Sequence, residues 1–187
     1  MFALRIDDDL SARLLEERHA EDLFALIDAN RGHLGRWFPW IATTTTVEHS
    51  REFIRRSLQK FAAGDGFQAG IFVDGEHVGM IGTHYLDWNV RATELGYWLA
   101  HSAQGRGIMT RVVAGMSRIF FEEYGLQRVE IRCHPANVRS RAVPERLGFT
   151  QEGILRRVAT LGDEHFDHVV YGLLASESTP TRTQETT

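Results

Sequence analysis

Apolar and polar positions recur along this chain with two different periods, and the switches between them mark its elements. Residues 10–15 open with a short apolar strand signal, and a helix follows over 19–30 with Leu23, Phe24 and Ile27 on one side. Periodicity is lost over 31–44, an irregular segment that carries Trp37-Phe38-Pro39-Trp40. A second helix is expected to start near Thr45, where Thr45 and Glu48 have capping-box spacing. It should turn Phe53, Ile54, Leu58 and Phe61 inward and end at Gly64-Asp65-Gly66.

Period two then takes over. Phe67, Ala69, Ile71 and Val73 alternate, and Asp74-Gly75 is a hairpin turn before a return strand over 78–88. A third strand over 93–100 runs into a glycine-rich turn, after which Ile108, Val112, Met116, Ile119 and Phe120 fall at helical spacing. A strand over 128–133, a helix over 138–147 and a hairpin of 153–161 and 165–174 around Gly162-Asp163 complete the pattern. Short turns between most strands predict an α/β (α+β) fold, with a mixed, mostly antiparallel sheet of about seven strands flanked by helices. A single domain over 1–175 is expected, followed by a disordered tail over 176–187 that has no apolar anchor.

Composition narrows the function classes. A net charge of −4 supplies no field for direct nucleic acid binding or for an anionic membrane, although a local basic pocket remains compatible with it. The chain has 1 cysteine, Cys133, so neither an intrachain disulfide nor a cysteine-based zinc site can form, and no metal is expected. The start of the chain lacks a basic end followed by a long apolar run, and no stretch reaches the length of a membrane span. A cytoplasmic protein is the expectation.

The candidate chemistry sits at Gln104-Gly105-Arg106-Gly107-Ile108-Met109-Thr110, between a strand and a helix. Glycines allow close backbone approach to a ligand, and a helix start offers free N–H groups and a favourable dipole to an anion. The result is a pyrophosphate site built from backbone, with Arg106 and Thr110 as helpers. Taken alone, the turn is weak evidence and is more often an ordinary strand-to-helix connection. A Rossmann fingerprint would need glycine or alanine at Thr110, and a P-loop would need Gly-Lys before Ser or Thr.

Several segments together are more specific: Glu94-Leu95-Gly96-Tyr97-Trp98-Leu99, the glycine turn, Asn137-Val138-Arg139-Ser140, Leu147-Gly148-Phe149 and Glu152-Gly153. With Asn30-Arg31, His33-Leu34 and the Trp37–Trp40 stretch, they resemble the GNAT superfamily of N-acetyltransferases over about residues 13–174. Within it they resemble the RimL- and RimJ-like, ribosomal-protein N-terminal acetyltransferase group. The resemblance implies a V-shaped split between the strands ending near Ala100 and Cys133, occupied by acetyl-CoA. The pyrophosphate would rest on the amides of Gln104 to Thr110. The pantetheine arm would pair with the backbone of Trp98, Leu99 and Ala100, and Asn137 would hydrogen-bond the arm. Two departures stand out. Met109 occupies a position that is usually glycine or alanine. Pro144 stands where many members carry a general-acid tyrosine, which leaves Ser140 as the partner of the departing sulfur. Pro144 lacks the N–H that the Ser140 carbonyl would use, so a kinked or loosened helix is expected there.

The attacking amine must be neutral. An α-amine of pKa near 7.7–8.0 is neutral roughly a tenth of the time at pH 7, whereas a lysine is neutral only about four times in ten thousand. Glu94 is the first candidate for the base, directly or through water. The N–H of Trp98 or Leu99 would polarise the thioester carbonyl. Some RimL-like enzymes place a glutamate where this chain has Ala159, so the base is the less determined part. Trp37 and Trp40, with Glu94, could wall the acceptor site, or the tryptophans could plug a loop. Cys133 reads as a packing residue beside the split. His134 stands near it, and His165 and His168 point to opposite faces of a strand. Arg139 and Arg141 could meet CoA phosphates or stay solvated. The reading is acetyl transfer by direct attack, with a protein N-terminus, in the ribosomal-protein type, as acceptor. A small amine such as a polyamine or antibiotic stands as the alternative acceptor, and a non-catalytic acyl-CoA sensor as the alternative of another class. Members of the group are often homodimers, which no residue here requires or excludes.

Overall fold

A computed structural model describes residues 3–178. The strands β1 (Ala3–Arg5), β2 (Leu10–Leu14), β3 (Gln68–Val73), β4 (Glu76–Asp87), β5 (Ala92–Leu99), β6 (Arg128–Cys133), β7 (Thr150–Leu161) and β8 (Glu164–Leu174) form one sheet in the order β1-β2-β3-β4-β5-β6-β8-β7. Neighbours are antiparallel except β5 and β6, which run parallel. The strand beyond the expected seven is β1, too short at 3 residues to show a period. The expected tail falls mostly on 179–187, outside the described residues; before it, the Glu177 and Ser178 amides close a turn on the Leu174 carbonyl.

The helices are α1 (Ala20–Ala29), α2 (Arg31–Leu34), α3 (Val47–Ala62), α4 (Ile108–Glu122) and α5 (Val138–Arg146). Strand alternation sorts the sheet into two covered faces. Ala69, Ile71, Val73, Leu95 and Leu99 pack with Ile108, Val112, Met116 and Phe120 of α4. Met80, with Phe72 and Trp98 at its margin, packs on the other face against Leu23 and Ile27 of α1 and Ile54 of α3.

Three expectations are corrected. The cap of α3 is Thr46 rather than Thr45: its side chain accepts from the His49 amide, and Glu48 instead sits in the first turn, where the helix dipole favours it. Phe53 and Phe61 are each 37% exposed. The buried seam of α3 runs through Ser50 and Ile54, and Phe53, one residue off that seam, is rotated about 100° away. The segment 31–44 is not irregular throughout, since it holds α2 and a single 3-10 turn over Pro39–Ile41. The Arg31 guanidinium staples it, donating to Asp28 Oδ1 at 2.6 Å, to the Ile41 carbonyl at 2.8 Å and to the Thr44 carbonyl.

The split expected between two strand ends is written in the register. β5 and β6 pair from Ala92↔Arg128 to Leu95↔Ile131, and there the pairing stops. β5 continues to Leu99 beside β4, and β6 continues to Cys133 beside β8. Two parallel backbones therefore diverge at the middle of the sheet.

The β3–β4 hairpin turns through Asp74 and Gly75, both at positive φ, as a two-residue primed turn requires. Beyond it, the His77 ring stacks on Phe72 at 4.9 Å, with Nε2 3.0 Å from the Gly79 carbonyl. Burial pushes the His77 pKa from 6.5 down to about 4. The unfolded chain therefore binds the proton more tightly. The contribution of His77 is complete above its unfolded pKa and is lost as pH falls through the folded value. Its upper limit is roughly 3 kcal/mol. Melting temperature is expected to fall between pH 6.5 and 4, and to fall less steeply in His77→Phe; equal slopes in the two proteins would remove His77 as the cause.

Candidate functional site

The connection from β5 to α4 passes through a 3-10 turn, His101–Ala103, and then Gln104 to Gly107. Gly105 and Gly107 hold φ of 76° and 72°, left-handed values that an L side chain rarely adopts. An added Cβ at either would meet nothing within 4 Å, so the requirement comes from backbone shape and not from crowding. Gly107 is the N-cap of α4 and no side chain caps it. The first amides of the helix are therefore free for an anion.

These residues form one wall of a groove of about 1270 Å³. Gln104, Gly105, Gly107, Ile108, Met109 and Thr110 line it from the turn, Trp98 and Leu99 from β5, and Asn137, Arg139 and Ser140 from α5. Arg106 is exposed and is not among the lining residues, and neither is Ala100. The Ala100 amide is bonded to the Val78 carbonyl at 2.8 Å. Antiparallel alternation then turns the Trp98 amide to β4 and leaves those of Tyr97 and Leu99 facing the split. The groove is cationic, with Arg36, Arg139 and Arg146 along it. Gln104 bridges its walls, meeting His33 Nε2 at 2.6 Å and accepting from the Arg139 guanidinium. Burial lowers the His33 pKa, and His101, Arg139 and Arg36 lower it further. A site this positive and this rich in free amides fits a diphosphate.

At the inner end, Asn137 caps α5, its Oδ1 accepting from the Ser140 amide at 3.2 Å. Ser140 Oγ lies 3.2 Å from Cys133 Sγ. Burial pushes the Cys133 thiol up to about 11, so it stays protonated at neutral pH. Pro144 does not break the helix, for α5 is continuous from Val138 to Arg146 with Pro144 inside it. One rung is missing, but the Tyr97 hydroxyl donates to the orphaned Ser140 carbonyl at 3.0 Å and removes the reason for the helix to open.

A second cavity, of about 1010 Å³, lies on the α1–α3 face of the sheet. Trp37, Phe38, Trp40, Phe53, Trp98 and Phe166 give it aromatic walls. The Trp37 ring meets His134 at 5.3 Å and His134 meets Phe166 at 4.7 Å, while Trp40 lies 6.3 Å from Trp98. Glu94 projects into it with its side chain only 13% exposed. Burial raises the Glu94 pKa; His84 and Arg132 pull it down and Glu130 pushes it up. His84 Nε2 is 3.9 Å and Arg132 Nε 3.4 Å from the carboxylate, and Glu130 stands opposite Glu94 in the parallel register. Both cavities reach Trp37, Phe38, Tyr97, Trp98, Asn137 and Ser140. A group delivered along the groove and a group held in the aromatic cavity would meet there.

Glu94, Trp37 and Trp40 are thus brought together on one side, and Asn137, Ser140, Leu99 and the glycine turn on the other. Ala159 and His168 line the aromatic cavity, whereas His165 is exposed and not among its lining residues. Arg141 lies outside the groove lining and bonds Tyr171 and the Pro135 carbonyl. Sequence reasoning missed His84, Arg132, His33 and Tyr97. His84 is the extra residue of a bulge between Thr83 and Tyr85, which no pattern of apolar positions announces. Arg132 could have been suspected, since it shares a strand face with Glu130. Among the described residues no group of three His, Cys, Asp or Glu could hold a metal, and no helix is long and apolar enough to cross a membrane.

Comparison with known proteins agrees with this geometry. The acetyltransferase (GNAT) domain family matches residues 9–150. YdaF of Bacillus subtilis (strain 168), provisionally named a ribosomal N-acetyltransferase, is 38% identical over 178 residues, covering 95% of this chain and 97% of that protein. The ribosomal-protein-serine acetyltransferase of Escherichia coli (strain K12) is 26% identical over 168 residues, 90% of this chain and 94% of its own. Mycobacterium smegmatis RimJ, solved in complex with CoA-disulfide, superimposes with a TM-score of 0.84 at 28% identity, over 90% of this chain and 83% of that one.

Forcing a side chain onto a left-handed N-cap costs roughly 1–2 kcal/mol, about a tenfold effect if binding needs that shape. Gly107→Ala is expected to weaken acetyl-CoA binding about tenfold or more by calorimetry while the protein stays folded. Undiminished affinity would show that the turn does not shape the site.

Proposed function

The chain belongs to the GNAT acetyltransferase family and is an acetyl-CoA-dependent N-acetyltransferase, and within that family we propose that it acetylates the N-terminal α-amine of a protein, of the ribosomal-protein type. The observation that carries this is the junction of the two cavities, with a buried carboxylate on the acceptor side and a strand edge without a strand partner on the donor side. The pyrophosphate of acetyl-CoA rests on the start of α4 and the Gln104–Gly107 turn. The Leu99 amide, turned toward the split, faces the thioester carbonyl. Ser140 Oγ bonds the departing sulfur, and no covalent intermediate on the protein is needed.

Glu94 takes the proton of the attacking amine, directly or through water. Its burial raises its basicity while the charges of His84 and Arg132 oppose that rise. A weak base of this kind suits an α-amine, which is neutral roughly a tenth of the time at pH 7, better than a lysine. Trp37 and Trp40 flank the incoming chain and exclude water. The names of two relatives, a ribosomal N-acetyltransferase and a ribosomal-protein-serine acetyltransferase, favour the same acceptor class. Action in the cytoplasm, where ribosomal proteins are made, follows from that acceptor.

The test is acetyl-CoA consumption with short peptides beginning in Ser or Ala, the same peptides with a blocked N-terminus and one internal lysine, and spermidine. The free N-termini are expected to be acetylated and the blocked peptides not. Turnover confined to spermidine would replace the proposed acceptor with a small amine, and binding of acetyl-CoA without any turnover would leave a sensor. Glu94→Gln is expected to lower kcat/KM about 10²-fold. The wild-type rate should climb with pH first through the raised Glu94 pKa and again through the amine pKa near 8, and the variant should keep only the second rise. A variant with the full two-step profile would acquit Glu94.

A further inference from the structure

Pro144 removes one backbone donor from α5, and the loss is made good from across the split. Ser140 has three polar groups. Its amide is held by Asn137 of its own helix start, and its hydroxyl lies against Cys133 on β6. Its carbonyl, left free by the missing N–H of Pro144, accepts from Tyr97 at 3.0 Å. The first two partners stand on the β6 arm of the split. Tyr97 alone of the three stands on the β5 arm, beyond Leu95, where the two strands have parted. The phenol reaches from the strand that offers the Leu99 amide to the helix that offers the Ser140 hydroxyl.

We propose that Tyr97 is a positioning residue that substitutes for the donor Pro144 cannot supply, and in doing so fixes Ser140 at a set distance from β5. This rests on the reading of Ser140 as the partner of the departing sulfur. A carbonyl abandoned in a half-buried place is driven to find water or another donor. In α5 that means loosening the first turn, which carries Ser140 with it. Tyr97 prevents the loosening. It also ties the two arms together at a level where strand pairing no longer does, alongside the contact of its hydroxyl with Cys133 on β6. Tyr97 does not act as the acid itself. Burial holds its pKa well above 10, whereas a thiol titrates near 8.5, so the phenol keeps its proton and donates a hydrogen bond only.

The pair makes its own control. Replacing Pro144 by alanine restores an N–H aimed at the Ser140 carbonyl, so the Tyr97 hydroxyl becomes dispensable in that background. Kinetics with acetyl-CoA and a peptide of N-terminal serine compare wild type, Tyr97→Phe, Pro144→Ala and the double variant; Pro144→Ser serves equally if Pro144→Ala folds poorly. Tyr97→Phe is expected to lower kcat about 5- to 10-fold and leave KM for acetyl-CoA within about twofold, since the contact to sulfur strengthens only in the transition state. In the Pro144→Ala background the same change should cost less than about twofold. An equal penalty in both backgrounds overturns the proposal, because Tyr97 would then act on the reactants or by packing. So does a Tyr97→Phe enzyme with unchanged kcat, or one whose loss lies wholly in KM. Ser140→Ala, measured alongside, separates the two layers. Full turnover in Ser140→Ala would end the reading of Ser140. The tie itself would then be judged by melting temperature, which should drop in Tyr97→Phe and recover in the double variant; failure to recover would overturn it.

Discussion

Two parallel strands that stop pairing halfway along their length make the rest of this protein possible. β5 and β6 exchange hydrogen bonds only as far as Leu95 and Ile131. Past that point each is supported on its outer side, β5 by β4 and β6 by β8, so both stay extended while the inner edge of β5 has no strand partner. An unpaired strand edge inside a molecule is costly unless something uses it. Here the free edge lies between a helix start with free amides and a second helix whose N-cap, Asn137, faces the same space. The opening is a backbone feature first, and the side chains around it are placed by the two arms.

The electrostatics follow the same division. The groove side is positive, with arginines from the segment after α2 and from α5, and with burial and neighbouring charges lowering the pKa of His33. The other side gathers carboxylates and cations into one partly buried network, Glu94 and Glu130 facing Arg132, with Arg128 joining Glu130 to Glu152. Glu94 sits where the network meets the aromatic cavity. Burial raises its pKa, and it lines the aromatic cavity. A diphosphate on one side and an amine on the other are the ligands that these two fields suit.

How much of this could be read along the chain depends on how local each cause is. Helices α1, α3 and α4 announce themselves because a periodic apolar seam must cover a sheet, and the Asp74-Gly75 turn because its φ values demand those residues. The glycine turn is legible for the same reason. The one-residue error at the α3 cap came from two adjacent threonines, between which only the backbone entering the helix decides. Segment 31–44 looked unstructured because its order comes from one arginine reaching up to 13 residues ahead. His84 was invisible because a bulge is a fault in strand pairing and leaves no mark in composition.

By itself the sequence determined the types of the longer elements and led to the expectation of a split beside a glycine turn, because these follow from local periodicity, turn geometry or a set of motifs read together. It also showed that Pro144 must leave the Ser140 carbonyl without its helical partner. Only the tertiary structure decided what that missing donor would do. A free carbonyl opens a helix when water is its nearest remedy and leaves it continuous when another donor is closer, and the donor here is a tyrosine 43 residues away on a strand across the opening. The same holds for the raised basicity of Glu94, which depends on burial and on charges from β4 and β6 that no spacing along β5 reveals.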